Sequence, residues 1–357
     1  MESPMKNYRK LLAAAVALPA AGLILAGCGS PTESEASQSD AALSVVATTN
    51  VYGQIARAIG GESVAVSEII TSTAQDPHSY EPTARDKLSI SEADVVLANG
   101  GGYDQFMDSL VSSLPKKALG QITLMHAVDS SPVAEQAEDE HEGESAEEHA
   151  QHADDAEHEG ESAQEHAQHA DEEQAEDEHE GHAHAGYNEH IWYDLDSVEA
   201  LAGELAESFS KLDAANAEQY KQNAATFTEG LAKLEGQLQA AKLDGKSFMM
   251  TEPVPFHLLQ DAGMDNLTPE GLSEAIEEGE GVAPLTLKTA KDKLAAGEAD
   301  ILAYNVQTEG SETQQLKKSA EQGEVPVVDF TETIQDDSSY LEWMESNISD
   351  LDSAING

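Results

Sequence analysis

Between Glu135 and Gly186 nine histidines (His141, His149, His152, His158, His166, His169, His179, His182 and His184) are interleaved with twenty-one acidic residues and no Lys or Arg. Imidazole and carboxylate are the side chains that hold divalent transition metals, so this run names a ligand class before any fold is known. It holds almost nothing apolar larger than Ala, and burial cannot offset the entropy of ordering it; a disordered loop is expected. His141–Asp154 recurs almost unchanged at His158–Asp171, a period of 17, and Gln136–Gly143 recurs at Gln174–Gly181. Two copies without an apolar face do not stack as a solenoid, and duplication of a tolerated surface loop is the simpler account.

Outside the run, four residues stand where predicted strand ends and turns would face a cleft. They are His78 in Gln75–Pro82, His190 in Asn188–Asp194, Glu252 after Met249-Met250-Thr251, and Glu332 in Asp329–Thr333. Taken singly, a His after Pro is most often an exposed turn residue, and an acid at a strand end most often a helix cap or a solvated charge. Two further histidines read as structural: His126 closes an apolar strand, and His257 lies on the first turn of an amphipathic helix.

The elements that must position these residues follow from apolar periodicity. Short β-branched runs at Leu43–Thr48, Val64–Ile70, Asp94–Asn99 and Gln121–Met125 alternate with helical segments, the pattern of a parallel sheet flanked by helices. In such sheets ligands bind at the carboxyl ends of strands, which here open into expected loops at Asn50–Gly53 and Asn99–Gly102. The segment Asn188–Asp194 reads as a short strand or turn entering a helix capped by Asp196 or Ser197, with Glu199 in its first turn. From Ala214 to about Leu243, Tyr220, Ala224, Phe227, Leu231, Leu234 and Leu238 recur at helical spacing. A helix of that length reaches about 45 Å and can bridge two lobes. A second α/β half has strands at Ser247–Thr251, Asp300–Val306 and Val325–Phe330, and helices at Asn266–Glu280, Leu285–Ala296 and Leu341–Ile355.

The fold class is therefore α/β, with two pseudo-symmetric lobes, each a parallel sheet flanked by helices, joined by one long rigid helix. The expected divisions are an N-terminal lobe over 43–212 that contains the loop 135–186, a linking helix over 213–243, and a C-terminal lobe over 244–357. The cleft between such lobes is the natural ligand site.

The first residues read as an export signal. Lys6, Arg9 and Lys10 precede an apolar stretch, Leu11–Leu25, that is too short to span a membrane comfortably. Either Met1 or Met5 could be the start. Cys28 is the only cysteine, so no internal disulfide can form. Its setting, Leu25-Ala26-Gly27-Cys28, resembles a bacterial lipobox, which implies a signal peptide over 1–28, acylation of Cys28, and a flexible tether over 29–42. The formal charge is −51, of which the loop supplies −21. The remainder is still strongly acidic and argues against nucleic-acid partners.

On Pro77-His78-Ser79-Tyr80-Glu81-Pro82 and His190-Ile191-Trp192-Tyr193-Asp194, the chain resembles the zinc- and manganese-binding solute-binding lipoproteins of ABC importers. The resemblance runs from about Leu43 to the C-terminus, interrupted by the acidic loop. It implies His78 as the first metal ligand and His190 as the second, with Glu189 in place of the family's Pro. It implies Glu252, after Thr251, as a third ligand in the carboxylate version found in manganese members. The fourth falls at Glu332, one methylene longer than the usual Asp, with Asp329 as the alternative. Two imidazoles and two carboxylates would neutralise a dication, and four protein ligands with no open position suit binding and release.

The function implied is capture of Zn2+, with Mn2+ as the alternative cargo, by a monomer held by lipid on the outer face of the cell membrane and delivering to an ABC permease. The His-rich loop favours zinc and would raise its local concentration, whereas the carboxylate pair is acceptable to manganese. Two other classes are weighed. A metal-dependent hydrolase lacks support, since His-Glu-x-x-His, Gly-x-Ser-x-Gly and Gly-x-x-x-x-Gly-Lys are all missing from the sequence. A surface metal store or adhesin would make the loop the working part.

Overall fold

The computed structural model describes residues 41–72, 74–134 and 187–357. The signal segment with Cys28, nearly all of the tether, and the His-rich loop with its nine histidines lie outside the described residues.

The first half alternates β1 (Leu43–Thr49), α1 (Asn50–Gly60), β2 (Val64–Ile70), α2 (Ala84–Ser91), β3 (Val95–Ala98), α3 (Gln105–Ser112), α4 (Lys116–Leu119) and β4 (Thr123–His126). After the loop come α5 (Leu195–Leu212) and α6 (Ala217–Ala240). The second half runs β5 (Ser247–Met250), α7 (Phe256–Asp261), β6 (Asp265–Asn266), α8 (Ser273–Glu277), α9 (Pro284–Ala295), β7 (Ile301–Asn305), α10 (Ser311–Gln322), β8 (Val327–Phe330) and α11 (Tyr340–Asn356). Two four-stranded sheets result, ordered β2-β1-β3-β4 and β6-β5-β7-β8, with every pairing parallel. The orders are the same, as expected of pseudo-symmetric lobes.

Each sheet is covered on both faces, which is why its strands are nearly all apolar. Val45, Ala47, Val95 and Leu97 point into one cluster, whereas Val46, Val96 and Ala98 point into another. In the second sheet Phe248, Met250, Ile301 and Ala303 join the first of these clusters, and Met249, Leu302 and Tyr304 form a third. One core thus runs through both halves. Tyr193 meets Phe330 edge-on and Trp343 at a tilt, with ring centroids 5.9 and 5.2 Å apart. Tyr340 donates to Trp192 O at 2.8 Å, and Tyr193 donates to Thr331 O at 2.9 Å.

The seven expected strands lie within two residues of their expected bounds. The long helix is shorter than its periodicity suggested: α6 has 24 residues, about 36 Å. It packs on α1 and α5 from the first half and on α11 from the second. Among the described residues no helix is long and apolar enough to cross a membrane.

Four local expectations are corrected. Asn50–Gly53 is not a loop but the first turn of α1. Asp194, not Asp196 or Ser197, caps α5, accepting from Ser197 N at 2.6 Å, and Asp196 rather than Glu199 is the acid of the first turn. No helix spans Asn266–Glu280; Asn266 instead closes the short edge strand β6, and Gly271 at φ 73° excludes continuous helix, leaving only the five residues of α8. Gly279, also left-handed at φ 67°, follows α8 closely and prevents its extension.

Candidate metal centre

Three neighbouring strand ends of the second sheet, β5, β7 and β8, carry Glu252, Asn305 and Glu332. Parallel pairing sets these ends side by side. The Asn305 amide lies between the carboxyls, donating to Glu252 Oε2 at 2.6 Å and to Glu332 Oε1 at 2.9 Å. Thr308 Oγ1 also donates to Glu252, and Tyr103 OH reaches across from the first half to Glu332 Oε2 at 3.2 Å. The backbone N–H of Glu332 is held by Gln307 Oε1 at 2.6 Å.

The imidazoles come from the first half. His78 sits in an Asx turn, its N–H donating to Asp76 Oδ1 at 2.9 Å, and its ring meets Tyr103 edge-on at 5.0 Å. His190 is fully buried and opens a single 3-10 turn, Ile191–Tyr193, with its ring 5.0 Å from that of Trp192. The turn at the end of β3 holds this segment in place. Gly100, Gly101 and Gly102 are all left-handed (φ 81°, 67° and 103°), and Asn99 Nδ2 donates to Glu189 O at 3.1 Å.

The tautomer of His190 follows from its neighbours. Asn188 Oδ1 accepts both the His190 backbone N–H, at 3.0 Å, and ring Nδ1, at 2.7 Å, while Asn188 Nδ2 donates to Pro253 O at 2.7 Å. A backbone N–H and a backbone carbonyl fix which end of the amide is oxygen, so Nδ1 carries the ring proton. In the neutral ring Nε2 then holds the lone pair a metal requires. His257 completes the arrangement: its Nε2 is 2.9 Å from Asn188 O, and burial lowers its pKa. That is a structural role, as expected. His126 likewise lies apart from the centre, paired with Asp108 Oδ1 at 2.9 Å, an interaction that raises its pKa.

Donor atoms of His78, His190 and Glu332 lie within 4.8 Å of one another. Glu252 does not join them at that spacing; it stands behind the Asn305 amide. Asp329, the alternative fourth ligand, is exposed on β8, whereas Glu332 is 2 % exposed. Two residues not singled out from the sequence also face this centre: Glu189 and Glu277 form a second group with His78 at the same spacing. Glu277 closes α8 in an acidic, Gly-punctuated stretch that reads as solvated, and no spacing marks it. Glu189 adjoins His190 but sits where the resembling family carries Pro.

Burial raises the carboxyl pKa values, of Glu252 to about 7, of Glu332 to about 8 and of Glu277 to about 10; neighbouring acids add to each shift. Ionised carboxylates so placed need a positive partner. Imidazole nitrogens and carboxylate oxygens converging from separate segments are a donor set for a borderline divalent cation.

Residues 45–354 match the family described as zinc-uptake complex component A, periplasmic. Zinc-binding lipoprotein AdcA of Streptococcus pneumoniae is 25% identical over 297 residues, covering 82% of this chain and 50% of that protein. Manganese ABC transporter substrate-binding lipoprotein PsaA of the same organism is 26% identical over 238 residues, covering 66% of this chain and 62% of PsaA. This chain thus spans half the length of AdcA and under two thirds of PsaA. Among solved structures, FpvC from Pseudomonas aeruginosa in complex with Mn2+ superposes with a TM-score of 0.62 at 19% identity, covering 88% of this chain and 98% of FpvC. A mutant of the laminin-binding adhesin Lmb from Streptococcus agalactiae gives 0.63 at 16%, covering 88% of this chain and all of that one. At such identities the structures speak for the fold alone. Across nearly all of its described length, therefore, the chain belongs to the family of zinc-uptake complex component A.

Proposed function

We propose that this protein captures Zn2+ between its two lobes and delivers it to the permease of an ABC importer. The observation that carries this reading is the convergence of His78, His190 and Glu332 from three distant segments, with the lone pair of His190 Nε2 set by Asn188. Glu252 completes the ligand set by a side-chain shift past Asn305. The His-rich run, the zinc-uptake family match and the zinc-binding name of AdcA favour zinc. A manganese reading draws on the carboxylates Glu252 and Glu332 and on the names of PsaA and FpvC. We further propose a lipid anchor at Cys28, lobes over 43–212 and 244–357, and action as a monomer at the outer membrane face.

In vitro affinity alone does not identify the cargo, since zinc outcompetes manganese at most mixed nitrogen and oxygen sites. The test is uptake of labelled zinc and manganese in cells with and without the protein, alongside zinc titration of the purified chain. We expect one tight site, a fall in zinc uptake without the protein, and at least a tenfold loss of affinity in His190→Ala. Loss of manganese uptake alone would transfer the reading to manganese. Retention of tight binding in His190→Ala would reject the site. Deleting residues 135–186 separates a cleft binder from a surface store: the binder keeps its tight site, the store loses nearly all its metal.

A further inference from the structure

Strand ends and loops are not the only source of donors facing the two imidazoles. Glu277, the last residue of α8, has a side chain only 8 % exposed, and its Oε1 lies 3.2 Å from His190 Nε2 and 3.6 Å from His78 Nε2. This buried oxygen makes no hydrogen bond among the described residues. Nor does a neutral His190 offer it a proton. The ring proton is committed to Asn188 through Nδ1, so Nε2 presents a lone pair toward a second lone-pair atom. Such an approach needs a positive centre between the two, either a proton on the carboxyl or a metal ion.

The distances suit a metal ion as that centre. Two donors each about 2.1 Å from one ion, at a tetrahedral angle, are separated by about 3.4 Å. The observed 3.2 and 3.6 Å bracket that separation. The ion then lies off the line joining nitrogen and oxygen, which agrees with a close contact that is not a hydrogen bond.

We propose that Glu277 is a direct ligand of the captured cation, reaching His78 and His190 from α8 rather than from a strand end. This inference rests on the reading of the centre as a metal site and adds a ligand that no sequence motif announces. Glu277 also lines a cavity of about 310 Å³ together with Glu189 and Glu274. A ligand between the imidazoles and a carboxylate-lined cavity is placed to follow the ion as it leaves.

The test compares wild type, Glu277→Gln and Glu280→Gln, the last at an exposed acid outside the cavity, by zinc titration and by the visible absorption of the Co2+-loaded protein. If Glu277 is a ligand, Glu277→Gln binds zinc at least tenfold more weakly and shifts the Co2+ bands, while Glu280→Gln changes neither. Unchanged affinity and bands overturn the proposal. So does weaker binding with unchanged bands, which would make Glu277 a source of favourable charge only. A crystal structure of the zinc-loaded wild type, independent of how the variants fold, places a Glu277 oxygen about 2.0–2.2 Å from the ion if the proposal holds. A Glu277 outside that shell rejects it while the metal site stands. A wild type that binds neither zinc nor Co2+ rejects the metal reading itself.

Discussion

At the scale of single residues the centre is governed by Asn188 as much as by the imidazole it orients. Its carbonyl oxygen fixes the His190 ring and its amide nitrogen is anchored on Pro253 O, so one side chain ties a first-half imidazole to a second-half loop. Removing such an orienting partner typically lowers metal affinity by about 10–100-fold. We expect Asn188→Ala to bind zinc within that reduced range while keeping the far-ultraviolet circular dichroism of the wild type. Undiminished affinity would show that Trp192 and Tyr103, which both meet the ring edge-on, suffice to hold it. Residue identity alone did not single out His78, His190, Glu252 and Glu332, each of which has an ordinary turn, cap or solvated reading; the resemblance carried by Pro77–Pro82 and His190–Asp194 did. It gave no hint of Asn188, whose hydrogen bonds exist only once the backbone turns at His190. Nor did it indicate Glu277, an acid among acids until α8 folds it inward.

At the scale of elements, the order β6-β5-β7-β8 brings three strand ends together, and their side chains form a row in which Asn305 keeps two carboxyls apart. The helix after His190 matters as well, since α5 starts directly behind the 3-10 turn that carries the imidazole. Its cap, Asp194, accepts from Ser197 N and is nearly buried. Loss of an N-cap costs about 0.5–2 kcal/mol. Asp194→Ala should therefore lower the unfolding free energy in urea by that amount without altering the slope of the transition. A change under about 0.3 kcal/mol would mean that the aromatic packing around Trp192 and Tyr193, not the cap, fixes the start of α5. The cap was misplaced by two or three residues in the sequence reading because Asp194, Asp196 and Ser197 are all good caps, and only backbone geometry selects among them.

At the scale of the molecule, the continuous core is the dominant mechanical fact. Phe209, Tyr220, Leu231, Phe248, Tyr340 and Met344 belong to one buried cluster drawn from both halves, with α6 running along it. Rigid-body opening would expose part of that cluster at about 25 cal/mol per Å² of apolar surface. It would also break the Tyr193, Tyr340 and Asn50 hydrogen bonds between the halves. We expect zinc to leave the small-angle scattering profile essentially unchanged, with movement confined to the loops of Glu252, Glu277 and Glu332. A marked fall in radius of gyration on zinc addition would instead indicate hinge closure.

What the sequence determined by itself was whatever local chemistry can encode. Short β-branched runs marked seven strands, helical spacing marked the long helix, and a His- and acid-rich run with almost nothing apolar larger than Ala named a ligand class before any fold was known. What only tertiary structure decided was which donors meet. Glu252 and Glu332 are 80 positions apart in sequence yet share the Asn305 amide, and Glu277 reaches His190 from the short α8, where the sequence reads as one longer helix. A ligand set is a statement about distances between side chains remote in sequence, and those distances exist only after parallel pairing has aligned the strand ends and the shared core has brought the two halves together.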